Sequence, residues 1–172
     1  VEAGQSRVEG SLDKAVERGK LEGEARDAAV AAISWTTDLA DLGDCDLVIE
    51  AAPEIRDLKL AIFAELDAVM GDDAVLATNT SSIPIIDIAM ATARPEQVCG
   101  VHFFNPATVM KLVEVIRTQR TSDAVIERIE AFATDVLGKR PVVCGDRSGF
   151  VVNALLIPYL CQAIAMFESG YA

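Results

Sequence analysis

His102 is the only histidine in this chain of 172 residues. Glu114 is the one charged side chain inside the apolar run Leu112-Val-Glu-Val-Ile116. A carboxylate in such a run is costly unless it is paired or hydrogen-bonded. An imidazole is the side chain best suited to exchange a proton near neutral pH. The two residues are 12 positions apart, so a hairpin turning around residues 105–110 would set them opposite each other. Without that hairpin, His102 is an ordinary half-buried histidine and Glu114 has no partner. With it, the carboxylate fixes the tautomer of the ring and favours its protonated form. Such a ring can take a proton from a substrate hydroxyl while a hydride leaves the same carbon.

The elements that would position this pair follow from the hydrophobic pattern. Residues 3–22 read as an amphipathic helix with Val8, Leu12 and Val16 on one side and Arg7, Ser11, Lys14 and Arg18 on the other. Gly23 is expected to break it, a short helix to follow at 24–32, and Ile33-Ser-Trp-Thr-Thr37 to form a short strand. Residues 46–51 form a buried strand, and 55–70 a helix with Leu58, Ile62, Leu66 and Val69 inward. Further strands are expected at 74–78, 98–103, 111–117 and 141–144. Pro84 opens a short helix to Ala89, and Ser122 caps another to about Val136 with Val125, Ile129, Phe132 and Val136 inward. A long apolar helix starts at Phe150 after the break at Asp146-Arg-Ser-Gly149. Alternating strands and helices imply the α/β class with a largely parallel sheet. In such sheets ligands bind beyond the carboxyl ends of the strands. There the sequence places Pro53-Glu54, Asn79-Thr-Ser-Ser82 and His102-Phe-Phe-Asn-Pro106.

Bulk properties narrow the function. The net charge of −12 disfavours non-specific nucleic-acid binding, and an anionic substrate would need a local basic patch. No apolar run reaches the roughly 20 residues of a membrane span, and the first residues do not read as a signal peptide. The four cysteines, Cys45, Cys99, Cys144 and Cys161, form no CxxC pair, which suits buried reduced thiols in the cytoplasm. One histidine and no paired spacing argue against a zinc site.

Four segments, DLVIEAAPE, ATNTSS, HFFNPATVMKLVEVI and DRSGFVVNALLIPYL, resemble the 3-hydroxyacyl-CoA dehydrogenase family in order and spacing, most closely its 3-hydroxybutyryl-CoA dehydrogenases. The resemblance implies an NAD-dependent oxidoreductase acting on (S)-3-hydroxyacyl-CoA in fatty-acid or butyrate metabolism. His102 would be the general base and Glu114 the group that orients and polarises it. Ser81, Asn105 and Asn153 would bind substrate near the nicotinamide, with Ser81 and Asn105 also close to NAD. Glu54 and Lys59 would approach the cofactor. Ser11 and Arg18 would contact the CoA nucleotide, in keeping with the basic face of the first helix.

The resemblance also implies a Rossmann-like NAD-binding domain over residues 1–148, followed from 149 to 172 by the first helix of an all-α dimerisation domain. The full-length enzyme would be a homodimer. The family's GxGxxG turn and its ribose-binding acid do not occur in the chain. The expectation is therefore a chain lacking its first strand–helix–strand unit and most of its helical domain. Such a chain would bind NAD weakly, without the helix N-terminus that stabilises the pyrophosphate. The competing reading is a non-catalytic protein that kept the fold.

Overall fold

The computed structural model describes residues 1–171 and divides into two compact units, Val1–Asp41 and Leu42 onward.

The first unit is a helical pair, α1 (Glu2–Glu17) and α2 (Gly23–Ala31). An ion pair from Arg26 to Asp13 links the two helices. The expected apolar side of α1 is not sealed, since none of its residues is buried and Val8 remains 36% exposed. Gly23 opens α2, so it does not break α1. That helix ends at Glu17, and the chain turns at Gly19, whose φ of 63° suits a residue without a Cβ. The strand expected at 33–37 is absent. A strand needs a ladder partner, and none pairs with these residues. Instead the Thr36 hydroxyl is engaged locally with Asp38 and Asp41.

The second unit is an α/β layer around a five-stranded sheet of order β1-β2-β3-β4-β5. The strands are β1 (Leu47–Glu50), β2 (Val75–Thr78), β3 (Val98–Phe103), β4 (Leu112–Arg117) and β5 (Arg140–Gly145). All neighbours run parallel except β3 and β4, which form the antiparallel hairpin. Helices α3 (Arg56–Val69), α4 (Ile85–Ala89), α5 (Asp123–Ala131) and α6 (Val152–Glu168) complete the unit.

Alternation along the strands divides the side chains between two faces. On one face Val75, Ala77, Cys99, Val101, Val113 and Val115 pack against Val125, Ile126, Ile129 and Ala133 of the α5 segment. Ser122 caps α5, its hydroxyl accepting from the Val125 amide. Beyond Ala131 the helix widens into a π turn over Phe132–Val136, and this rotates Val136 outward to 70% exposure. On the other face lie Gly100, His102, Glu114 and Ile116, with Ile85 of α4 pressed onto Gly100. The innermost residues of α3 are Lys59, Phe63 and Leu66. Leu58 is 37% exposed, so the buried face is turned from the expected one and centres on a lysine. The thiols divide as well: Cys99 is buried, Cys144 half-buried, and Cys45 and Cys161 are exposed, against the expectation of buried thiols. Burial pushes the Cys99 thiol up to about 12.

Candidate active site

Register decides the central contact. In the β3–β4 hairpin His102 is directly opposite Glu114, so both side chains leave the sheet on the same face. His102 Nδ1 is 2.7 Å from Glu114 Oε2, and the two side chains are 9% and 1% exposed. A carboxylate only accepts, so Nδ1 carries a hydrogen, and in the neutral ring Nε2 is the nitrogen with the lone pair. Nε2 has no protein partner, and it is not among the sealed polar atoms of the described residues. Phe104 and Phe150 meet the ring edge-on, with centroids at 4.8 and 5.5 Å, and fix its plane. Such an arrangement can act as an oriented proton acceptor through the open nitrogen.

The other oxygen of Glu114 is also occupied. Oε1 accepts from the amides of Val151 and Val152 at 3.0 and 2.9 Å, at the start of α6. The turn that delivers these amides contains Gly149 at φ 74° and Phe150 at φ 49°. A bulky residue at positive φ is strained and persists only where its surroundings hold it. Here the Phe150 ring is 8% exposed against His102.

A second polar network lies at the carboxyl ends of β1 and β2. Glu50 closes the apolar strand Leu47-Val-Ile-Glu50 and is 5% exposed. Its carboxylate receives Lys59 Nζ at 2.7 and 3.0 Å, and also the Ala52 amide and the Thr78 hydroxyl. Lys59 is 1% exposed and donates further to the Ala52 carbonyl at 3.1 Å, with Glu54 Oε2 at 3.5 Å. Glu54 Oε1 then gathers the hydroxyls of Thr80 and Ser82 and the amides of Ser81 and Ser82. Burial alone would raise the Glu54 carboxyl. Its bonds from Thr80, Ser82 and the Ser81 amide, with the Lys59 charge, outweigh that and hold it at about 2.

This network leaves Ser81 as the free hydroxyl of the turn. Thr78, Thr80 and Ser82 spend theirs on Glu50 and Glu54, whereas Ser81 Oγ makes no hydrogen bond among the described residues. Asn79 Oδ1 accepts from the Phe103 amide at 2.8 Å, and this ties the turn to the end of β3 beside His102. Asn105 lies in the exposed loop after β3. Lys139 Nζ anchors that loop through the carbonyls of Ala107 and Met110 at 2.6 and 2.8 Å. Asn153 is half-buried in the first turn of α6, directly after the amides bound to Glu114.

His102, Glu114, Ser81, Asn105, Asn153, Glu54 and Lys59 therefore all belong to the second unit. Ser11 and Arg18 belong to the first, on α1 and at its C-cap, both exposed. Lys59 is not at the surface, and its ammonium is fully engaged. Sequence reasoning missed Glu50, although a carboxylate closing an apolar strand is the same signal that singled out Glu114. It also missed the amides of residues 151 and 152, for which no side-chain pattern exists. Among the described residues no cluster of potential ligands could hold a metal ion, and no helix is long and apolar enough to cross a membrane.

Known proteins match this architecture along the whole chain. The family described as 3-hydroxyacyl-CoA dehydrogenase, NAD binding domain, matches residues 1–147. A 3-hydroxybutyryl-CoA dehydrogenase of Mycobacterium tuberculosis is 55% identical over 173 residues, covering 100% of this chain and 60% of its own length. The crystal structure of FadB2 from M. tuberculosis superposes with a TM-score of 0.96 at 55% identity, over 100% of this chain and 61% of that one. That of (S)-3-hydroxybutyryl-CoA dehydrogenase PaaH1 from Ralstonia eutropha gives 0.96 at 40% identity, over 100% and 60%. The chain thus spans about 60% of the length of these relatives. Its mostly parallel sheet is Rossmann-like, and the chain belongs to the 3-hydroxyacyl-CoA dehydrogenase family, whose NAD-binding domain it carries.

Proposed function

We propose that the protein to which this chain belongs oxidises (S)-3-hydroxyacyl-CoA, 3-hydroxybutyryl-CoA among its substrates, to the 3-oxoacyl-CoA with NAD. The observation that carries the reading is the His102–Glu114 pair at 2.7 Å with Nε2 left open. His102 Nε2 takes the proton from the 3-hydroxyl, and returns it in the reverse reduction. Glu114 keeps the hydrogen on Nδ1 and stabilises the imidazolium as it forms. NAD, when bound, accepts the hydride from the same carbon. The donor set suits that cofactor and substrate: Ser81 Oγ and the amides of Asn105 and Asn153 have no hydrogen-bond partner among the described residues. Ser81 and Asn105 hold the oxygen of the reacting carbon and the nicotinamide edge, and Asn153 closes the ring from α6. Glu54 borders the cofactor, and Lys59 acts through Glu54 because its own ammonium is buried.

Ser11 of α1 and Arg18 at its C-cap are assigned to the CoA nucleotide, a basic patch on a chain of net charge −12. Residues 1–148 form the cofactor domain, and 149–172 begin a helical one. No residue of α6 is buried, and Leu155, Tyr159 and Phe167 are each about 70% exposed, as suits a helix made to pack against further helices in a homodimer. The charge argues against nucleic acid as a partner. The four free thiols suit a reducing compartment such as the cytoplasm, where fatty-acid oxidation or butyrate metabolism would supply the substrate.

The test is NADH formation by the full-length protein on 3-hydroxybutyryl-CoA. His102→Ala should lower kcat about 10²–10⁴-fold with little change in NAD affinity. Wild-type turnover in His102→Ala, or no turnover of any 3-hydroxyacyl-CoA by the unmutated protein, would refute the assignment.

A further inference from the structure

We propose that the Gly149–Phe150 turn and the first amides of α6 are a positioning device for the acid–base pair: they fix which atom of the side chain at 114 faces His102, and through it the tautomer of the ring. The proposal rests on the reading of His102 as the proton acceptor and deepens it.

The argument starts from the unsatisfied amides of a helix start. The first N–H groups of a helix have no partner within it, and a nearby side chain ordinarily caps them. The N-cap of α6, Val151, makes no side-chain cap. Glu114 takes that place from β4, its Oε1 accepting from Val151 and Val152. The positive end of the helix dipole favours a carboxylate there. One carboxylate thus accepts on both sides, from α6 through Oε1 and from His102 through Oε2.

The turn is built to bring this about. A Cβ on Gly149 would meet the Ala154 nitrogen at 2.9 Å, while that nitrogen donates to the Gly149 carbonyl. Both its φ of 74° and this crowding restrict the position to glycine. Phe150, held at φ 49°, puts its ring on His102 while the next two amides reach Glu114. Backbone strain therefore sits at a residue that touches one member of the pair and aims donors at the other.

A carboxylate is the one group of this size that can serve both sides. In Glu114→Gln, the amide oxygen can face only one of them. Facing α6 it accepts two backbone N–H groups; facing His102 it accepts one and points its NH₂ at the two α6 amides. The first arrangement wins, because the second leaves buried donors opposed. The NH₂ then donates to Nδ1, which must accept, and the ring hydrogen moves to Nε2. A ring in that tautomer cannot take a substrate proton.

Were Glu114 held by His102 alone, the glutamine would simply turn its oxygen to Nδ1 and keep the native tautomer. Nitrogen-15 spectra of the histidine-labelled full-length protein separate these cases, the His102 signals being those that disappear in His102→Gln. At a pH where the ring is neutral, the native chain should show hydrogen on Nδ1 and Glu114→Gln hydrogen on Nε2. A second variant, Gly149→Ala in the Glu114→Gln background, frees the glutamine from α6 and should return the hydrogen to Nδ1 while circular dichroism stays native-like. A native tautomer in Glu114→Gln overturns the proposal, as does hydrogen still on Nε2 in the folded double variant. If the double variant fails to fold, the glutamine variant alone decides. These readouts need no turnover. A shifted tautomer in a protein that oxidises no 3-hydroxyacyl-CoA would sustain the proposal and remove the proposed function.

Discussion

Lys59→Met tests whether the buried network at the ends of β1 and β2 is what the geometry says it is. Lys59 is 1% exposed and contributes bonds of 2.7 and 3.0 Å to Glu50 and 3.1 Å to the Ala52 carbonyl. Methionine fills nearly the same volume, so the loss is electrostatic and hydrogen-bonding, with little cavity. Glu50, 5% exposed, would keep only the Ala52 amide and the Thr78 hydroxyl. Removing one partner of a buried pair costs about 3–5 kcal/mol, most of it the charge left behind. An exposed pair would cost about 0–1 kcal/mol. Glu50→Gln leaves the lysine in the converse position, with only Glu54 Oε2 at 3.5 Å as a charged neighbour, and should cost a similar amount. The double variant removes both charges and should recover about 3 kcal/mol relative to the sum. Urea unfolding read by circular dichroism, with unchanged slope, measures the four corners of the cycle. Single costs below about 1 kcal/mol, or additivity within about 0.5 kcal/mol, would refute the reasoning. Should Lys59→Met alone not fold, refolding of the double variant would carry the same information.

Two further outcomes follow from single positions. The Glu54 carboxyl is depressed from its usual 4.5 to about 2, so its contribution is present above pH 4.5 and lost as pH falls towards 2. Glu54→Gln should flatten that part of an acid-unfolding profile measured by urea midpoints, and an unchanged acid limb would count against the depressed carboxyl. Gly100→Ala should cost about 1–3 kcal/mol by overpacking, because the new methyl would meet Ile85 and come within 2.9 Å of Ile116 Cβ. Ile85→Val in the same chain should restore part of the loss in urea midpoint, and a neutral Gly100→Ala would show that α4 is not held against β3.

The strands and most helices were legible because their cause is periodic. Alternation in Val98–Phe103 and Leu112–Arg117 specifies faces as well as strands, and a hairpin then puts His102 opposite Glu114. Ile33–Thr37 misled because composition makes a strand only when a neighbour is there to pair. The face of α3 misled because Lys59 counts as polar, yet it is buried by the carboxylate at the end of β1. No local pattern ties a lysine to a glutamate nine positions upstream. The same holds for α6, whose start is capped from β4 through backbone amides that every residue possesses.

These failures share one physical reason, and it bears on the chemistry. A periodic signal records what a side chain does against solvent, whereas a buried polar group is specified by what satisfies it. Glu50, Lys59 and Glu114 are the buried charges whose partners lie on other elements. Each uses its bonds to fasten one segment next to a candidate site residue, respectively the end of β2, the loop carrying Glu54, and the start of α6. Satisfying these charges and positioning the candidate site residues are thus a single arrangement. A substitution that leaves the apolar core intact can still misplace Ser81 or turn the wrong nitrogen of His102 outward.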